Sequence, residues 1–599
     1  MSPTPTVAHL LHRNADTWPD RPALSWREPG SADWRTLTWS GVRDRVAGLA
    51  EGYAALGVAP GDHVLLMMGN RPEHWLSDLA LVRAGAVTTT VYSTSAPDQV
   101  RYIARHCRAR LAVVGDAGSA RAWERLVADP DTPLERLVVV DGADPERGHV
   151  PYTDLAAVAA PASSAAEDRS DPDDRLTVVY TSGTTGEPKG VVLTHRHVFG
   201  NATALDRVVE LPDHAEHICY LPLAHIAERM LGLYLPLFRA SHVWLCADPQ
   251  ELPEVLRHVR PPQFFGVPRV WEKLASALRA GLDRLPPDRR AAVDRARALA
   301  AEHISRRERG ELVPDDLAER AERARAQVLA PLLAAAGLDR VVWAASASAP
   351  MPPEVVRFWA GMGLAVMDAW GLTETTGVAT VNSPVSGFRL GSVGRPIDGV
   401  ELRVAGDGEI LVRGATVFEG YLNPDGSVGP GTGAGGWFAT GDVGRRDEDG
   451  FVWITDRKKE LIVTSHGKNV APSPVENALK EHPLIGQAYV HGDGRPHLVA
   501  LLVLDPETAP AWAAAHGIRT GAGTGDGRPL AEHPAVLAEA GRAVAAANAR
   551  LSRPEQVKRH RLLDREWGPG TGELTPSLKL RRRVVRDLYR DELAALYEP

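Results

Sequence analysis

Lysine is scarce in this chain. Of its 68 basic residues only eight are lysines, at positions 189, 273, 458, 459, 468, 480, 558 and 579, so arginine carries the generic positive charge. Each lysine is therefore informative, because a compact, strongly hydrated ammonium on a mobile stem does not substitute for a planar guanidinium. Cysteine is scarcer still. Cys107, Cys219 and Cys246 lack the spacing of a disulfide framework or a zinc module, which excludes a stapled secreted scaffold and suits a reducing cytosol. No uncharged run reaches the ~20 residues that a spanning helix needs; the most apolar stretch, 218–245, is interrupted by His225, Glu228, Arg229 and Arg239. The first twenty residues carry neither a basic region nor an apolar core of a signal peptide, so a cytoplasmic location is expected. The net charge of -8 comes without a basic stripe, which argues against nucleic acid as a partner.

What remains is an ordinary soluble composition, 44% hydrophobic and 24% charged, in 599 residues. That length exceeds a single core and predicts two or more domains. Between residues 37 and 115 helical and strand patterns alternate: "TWSGVRDRVAGLAEGYAALG" ends on Gly57, a candidate C-cap, and "DHVLLMMG" and "VTTTVY" read as short strands around the helix "RPEHWLSDLALVRAGA". Short strands buried on both faces and alternating with helices predict an α/β fold rich in parallel sheet. The pattern resumes in "RLTVVYTSG", "RVVWAASASAP" and "GLAVMDAWGLTE", and the three polar loops that follow are expected to converge on one crevice beyond the strand ends. Residues 275–335 read as a charged, solvated helical insertion. From Val400 short strands and turns predict a β-rich subdomain containing the loop "GSVGPGTGAGGW". After "DRKKELIV" comes a small α/β tail, so the expected domains are 1–458 and 459–599.

The stretch "VVYTSGTTGEPKG", Val178 to Gly190, concentrates hydroxyls, glycines and one lysine after a strand. Thr181, Ser182, Gly183, Thr184, Thr185, Gly186 and Lys189 together supply close backbone N–H groups, hydroxyl donors and an ammonium, a set matched to a polyphosphate. The spacing is not that of a Walker A loop. Nine specified positions give a chance match on the order of 10⁻¹⁰ per start, which sets aside an ordinary surface turn.

The stretch resembles the signature loop of the AMP-forming adenylating superfamily: acyl-CoA synthetases, aryl-CoA ligases, firefly luciferase and the adenylation domains of peptide synthetases. "YLPLAHIAER", "AWGLTET", "GEILVRG", "TGD", "DRKKELIVTSHGKNVAP" and "ELTPSLKLRR" follow in the family's order. The resemblance implies a large adenylation core and a small mobile C-terminal α/β domain, with ATP, Mg²⁺ and CoA as cofactor and co-substrates. It implies magnesium beside Glu374, with a hydroxyl of Thr181 or Thr184 assisting; Thr373 at the α-phosphate; Asp442 accepting both ribose hydroxyls; and Arg457 on ribose or phosphate. Trp370 and Gly371 would border adenine, with an indole where the family has a phenol. Ser346 lies in the adenine and acyl-pocket strand, where Ala347 replaces a usual glycine. His225 would line the acyl pocket. Lys579 resembles the lysine that the small domain inserts between carboxylate and α-phosphate, Lys459 the hinge, and Gly467 the segment later turned towards pantetheine.

"VPRVWEK", the insertion after it, "VYSTSAPDQV" and "LTPSLKLRR" lean towards long-chain fatty acyl-CoA synthetases. The expected partners are a fatty acid, ATP and CoA. A fatty acyl-AMP ligase loading a carrier protein and an aryl or medium-chain ligase are the competing enzymes, and a nucleotide-binding sensor the competing class. No carrier motif is evident, so a free-standing enzyme is expected. Chain length, homodimer formation and peripheral membrane contact stay open at this level.

Overall fold

In the computed structural model, which describes residues 4–158, 170–181, 187–518, 529–568, 570–575 and 579–598, the short apolar runs become interior strands. His63–Met67, Val87–Thr90, Leu111–Asp116 and Arg136–Asp141 run parallel within a nine-stranded sheet. Successive residues of a strand point to opposite faces. Accordingly Val64, Leu66 and Val113 join a core built with the helices Trp39–Ala55 and Pro72–Arg83, while Leu65, Met67, Ala112 and Val114 join another built with Ile103 and Trp123. The Trp39–Ala55 helix opens where the Thr38 hydroxyl accepts from the Gly41 N–H at 3.2 Å. Just beyond its end Gly57 takes φ +83°, a conformation that carries little steric cost without a Cβ.

The signature stretch forms the antiparallel side of this sheet. Arg175–Thr181 pairs with Lys189–Thr194, Thr181 opposite Lys189. The connection is too short for the crossover that parallel pairing requires, so the sheet is mixed, and Lys189 opens a strand. Gly420–Leu422 adds to the outer edge of that hairpin, Tyr421 opposite Val191.

A second, five-stranded sheet contains Trp343–Ser346 and Val366–Leu372 in parallel, then Gly377–Val381 returning antiparallel. The insertion is helical: Pro268–Asp283, Pro287–Glu308 and Asp315–Ala324 are followed by a π-turn and Ala330–Ala335. Its long helix buries only a narrow stripe, Val293, Ala296, Ala300 and Ile304, as expected for a solvated helical hairpin. Val400–Val404, Glu409–Gly414, Phe438–Arg446 and Val452–Arg457 form an antiparallel four-stranded sheet.

After residue 458 the chain builds a separate three-stranded sheet, Ile485–His491, Leu498–Leu504 and Val557–Leu563. Pro472–Lys480 and Pro534–Asn548 cover one face, Arg582–Leu588 and Arg590–Ala595 the other. The apolar clusters divide as well: the buried residues of three end at or before Val452, and those of two begin at or after Ile462. The fold is α/β, with a large N-terminal part and a C-terminal domain.

Candidate active site

Asp442 and Arg457 are cross-strand partners in the antiparallel four-stranded sheet. Arg457 Nε lies 2.7 Å from Asp442 Oδ1, and the indole Nε1 of Trp370 donates to Asp442 Oδ2 at 2.8 Å. The Asp442 side chain is 6% exposed and that of Arg457 43%. Burial pushes the Asp442 carboxyl above its ordinary value, and Arg457 and the Trp370 N–H work against that rise. Trp370 sits where the register of Val366–Leu372 against Gly377–Val381 shifts. Gly371 is dictated there by sterics: a Cβ would lie 1.7 Å from the Gly377 carbonyl oxygen.

Past that strand, Thr373–Thr375 forms a single 3₁₀ turn, closed by Thr375 Oγ1 accepting from the Leu372 N–H at 2.8 Å. Thr373 and Glu374 are half-buried on it. The Tyr421 hydroxyl donates to Glu374 Oε1 at 2.8 Å, and Lys189 Nζ lies 4.8 Å from the Tyr421 ring centroid. Burial first, then the neighbouring Glu374, raise the Tyr421 phenol. Tyr421 thus bridges two motifs. Sequence reasoning missed it, because its position, 47 residues from Glu374, follows from strand pairing and from no local pattern.

Lys579 comes from the other end of the chain. Its backbone N–H donates to Thr575 Oγ1 at 3.0 Å, and its carbonyl accepts from the Thr575 N–H at 2.7 Å. Its ammonium is lowered by burial first and by Arg457 next, while Asp442, Glu374 and Glu460 hold it up. The residue is nevertheless exposed by accessible area. A side chain can be reached by solvent and still be surrounded by protein atoms, so both hold. His225 feels the charge of this ammonium. It caps the helix Ile226–Arg229, its Nδ1 accepting from the Ala227 N–H at 3.2 Å, and burial with the Lys579 charge lowers it to about 3. It is therefore a neutral imidazole with its proton on Nε2. Beneath it the buried Arg229 holds Asp78 at 2.6 Å, Thr88 at 2.6 Å, Thr90 at 2.9 Å and Tyr234 at 3.0 Å, which anchors the segment.

Ser346 ends the strand Trp343–Ser346, and its register partner is Asp368, inside the adjacent strand Val366–Leu372. Ser346 Oγ and Asp368 Oδ1 are buried without a hydrogen-bond partner, and burial raises Asp368 to about 7. Buried polar atoms normally find partners, so these two atoms are chemically incomplete by themselves.

The structure joins some of the predicted residues and leaves others apart. Trp370, Asp442, Arg457, Lys579, His225 and Glu374 share one electrostatic neighbourhood, with Gly371 and Thr373 on the connecting chain, and Lys189 joins through Tyr421. Thr181 is half-buried at the end of its strand. Lys459, in the exposed turn Lys458–Glu460, and Gly467, at an exposed bend with φ +70°, stand apart and make no hydrogen bond to that cluster among the described residues. Ser182, Gly183, Thr184, Thr185 and Gly186 lie outside the described residues.

For a metal, the described residues contain no group of three His, Cys, Asp or Glu side chains. A magnesium ion that keeps its waters and binds through substrate phosphates needs only one or two carboxylates. Glu374 fits such an ion: Tyr421 occupies Oε1, and Oε2 bonds no described residue.

The profile described as AMP-binding enzyme matches residues 11–422, and that of the AMP-binding enzyme C-terminal domain matches 459–599. The chain is 39% identical over 430 residues to a protein named putative fatty-acid–CoA ligase fadD11 of Mycobacterium tuberculosis, covering 71% of this chain and 74% of that one. It is 34% identical over 583 residues to the long-chain-fatty-acid–CoA ligase FadD15 of Mycobacterium bovis, covering 94% and 92%. Among solved structures, the adenylation domain of a carboxylate reductase from Mycobacterium chelonae superposes with a TM-score of 0.76 at 22% identity, covering 100% of this chain and 92% of that one. An anthranilate CoA ligase in complex with anthranoyl-AMP does so with 0.71 at 19%, covering 99% of each. These likenesses in fold and the profile matches across both parts of the chain lead to one conclusion: the chain belongs to the AMP-binding enzyme family.

Proposed function

We propose that this chain is an AMP-forming long-chain fatty acid–CoA ligase. A carboxylate is a poor electrophile because its leaving group would be oxide. In the proposed first half-reaction a carboxylate oxygen attacks the α-phosphorus of ATP, the bond to pyrophosphate breaks, and acyl-AMP forms. In the second, the CoA thiol attacks the acyl carbon, the bond to AMP breaks, and the thiol proton is released. Relatives named long-chain-fatty-acid–CoA ligases, matched over most of this chain, support the acyl and CoA specificity.

The observation that carries the reading is the electrostatic meeting of Lys579 with Glu374, Asp442 and His225. The first half-reaction brings an anionic acid against an anionic triphosphate, so neutralising charge and positioning are its main demands. In our proposal Lys579 supplies the ammonium between the two anions. Asp442 takes the ribose hydroxyls, Arg457 holds ribose or phosphate, and Trp370 and Gly371 border adenine with Ser346. Thr373 meets the α-phosphate, and Lys189 with the Thr181–Gly186 loop grips the outer phosphates and lets pyrophosphate go. His225, neutral, borders the acyl carboxylate without competing for its charge. Glu374, assisted by a hydroxyl of Thr181 or Thr184, would hold magnesium, which supplies charge neutralisation at the phosphates.

We further propose that 1–458 and 459–599 move against each other about Lys459. The side chains flanking it divide: Lys458 bonds Asp407 at 2.6 Å and Glu409 at 2.8 Å in the larger part, whereas Glu460 pairs with Arg582 at 3.0 Å in the smaller. Hinges sit at such element ends. Rotation would withdraw Lys579 and bring the Gly467 turn to the pantetheine path. The enzyme would work in the cytoplasm and meet its acid at the inner membrane surface, which vesicle co-sedimentation tests. None of the described helices is long and apolar enough to cross a membrane.

The deciding experiment separates the half-reactions. Lys579→Ala is expected to abolish fatty-acid-dependent ATP–pyrophosphate exchange yet to spare thioester formation from supplied acyl-AMP; equal loss of both would overturn the role of Lys579. CoA as the thiol acceptor, with no transfer to a carrier protein, is the expected outcome of the acceptor assay.

A further inference from the structure

We propose that Trp370 is a positioning residue for Asp442, its indole N–H holding the carboxylate in the orientation that receives the ribose hydroxyls. The inference rests on the reading of Asp442 as the ribose-binding carboxylate and adds to it what fixes that carboxylate in place.

An ionised carboxylate has about four lone-pair positions and no proton to give. At Asp442 the described side chains make one hydrogen bond, from Trp370 Nε1 to Oδ2 at 2.8 Å, while Arg457 Nε stands 2.7 Å from Oδ1 as an ion pair. No other described side chain donates to either oxygen. Each oxygen therefore keeps at least one acceptor position, the number that a vicinal pair of hydroxyls uses.

The two partners are not equivalent. Rotation about the bond to a planar carboxylate is soft and broadly populated, so the plane of Asp442 is set by its partners. Arg457 is 43% exposed on a long flexible stem. Trp370 is 8% exposed and belongs to an interior strand whose next residue, Gly371, is pressed against the Gly377 carbonyl. The indole is thus the rigid donor and the guanidinium an adjustable counter-charge. A hydrogen bond to a charged acceptor is also stronger than a neutral one, and it favours the ionised state that burial opposes at Asp442.

The geometry of the ring accounts for an indole at this position. Its N–H projects from the flank of the ring system, whereas a phenol hydroxyl projects along the axis through Cβ. A tyrosine on the same backbone would present the same kind of stacking face and aim its donor elsewhere. The stacking and positioning roles can therefore be separated by chemistry.

The test is a ligand-deletion cycle on the full-length protein, measured by calorimetry with AMP and with 2′,3′-dideoxy-AMP, which keeps adenine and phosphate and lacks both hydroxyls. Trp370→Phe keeps an aromatic face and removes the donor. It is expected to weaken AMP roughly tenfold or more, the scale of a bond to a charged group, and to change dideoxy-AMP by less than about threefold, within the spread of an altered stacking face. Replacing the Trp370 indole by benzothienylalanine, which puts sulfur in place of N–H at nearly constant shape, is expected to give the same pattern and covers the case in which the phenylalanine protein fails to fold. Equal weakening of both ligands, or of neither, overturns the proposal. Asp442→Asn tells the two readings apart: a preference for AMP that survives it overturns the ribose role of Asp442, whereas a preference lost there and kept in both Trp370 variants overturns the role of Trp370 alone.

Discussion

Lys579 and His225 are charged and uncharged for reasons that lie in their surroundings. A lysine ordinarily titrates near 10.4 and a histidine near 6.5. Burial and Arg457 lower Lys579, so its ammonium loses the proton at a lower pH than an ordinary lysine does. Burial and the Lys579 charge bring His225 to about 3, so it stays neutral across the working range. Two consequences follow for the pH profile of ATP–pyrophosphate exchange. Its alkaline limb is expected below the ordinary lysine value and is expected to be missing from thioester formation with supplied acyl-AMP. No acid limb near 6.5 should arise from His225, and His225→Gln should leave the shape of the profile unchanged. An acid limb near 6.5 that His225→Gln removes would contradict the neutral imidazole.

Among the elements, the hairpin from Val366 to Val381 has the least freedom. Trp370 and Glu374 must leave the same strand end in different directions, one towards Asp442 and the other towards Tyr421. The register shift at Trp370/Gly371 and the turn at Thr373–Thr375 achieve this. A methyl at position 371 would overlap the Gly377 carbonyl, so Gly371→Ala must part the two strands. The expected cost is about 3 kcal/mol or more, the range of severe overpacking, read as a lowered thermal or urea midpoint together with weakened AMP binding. A substitution that leaves the midpoint unchanged would show that the strands can separate freely. The motif "GLTET" was legible as chemistry at this scale; the steric reason for its glycine was not, because it lies on the strand facing it.

Across the whole molecule, two ion pairs among the described residues join the larger part to the C-terminal domain. Arg269 pairs with Asp505, and Lys273 with Glu507 at 2.5 Å. Both cations belong to "VPRVWEK", a motif that the sequence marked as distinctive without a contact to explain it, and both anions follow the strand Leu498–Leu504. Lys273 and Glu507 are 53% and 63% exposed, so their pair contributes little in water; Asp505 is 4% exposed and depends on Arg269. These pairs and the approach of Lys579 to Asp442 occur together in this structure, and under the proposed domain motion they would be lost together. Arg269→Ala is therefore expected to slow acyl-adenylate formation roughly fivefold by shifting the balance of arrangements, with little effect on thioester formation from supplied acyl-AMP. Single-turnover measurement of each half-reaction checks this, and equal slowing of both would oppose it.

Much of this protein was legible in the order of its residues. Hydrophobic periodicity marked the alternating strands and helices, and the loop from Tyr180 to Gly190, "GLTET", "TGD" and the lone Lys579 marked a nucleotide chemistry, because each is a short-range pattern whose meaning survives without its neighbours. The antiparallel pairing of the two signature strands, the Tyr421 hydroxyl on Glu374, the Trp370 indole on Asp442 and the Arg269–Asp505 pair were not legible. Their partners stand 47, 72 and 236 residues apart, and only sheet pairing and domain docking bring such residues to hydrogen-bond distance. Sequence by itself determined which functional groups the chain carries; the tertiary structure decided which of them touch and, through burial and mutual charge, in which direction their protonation is pushed.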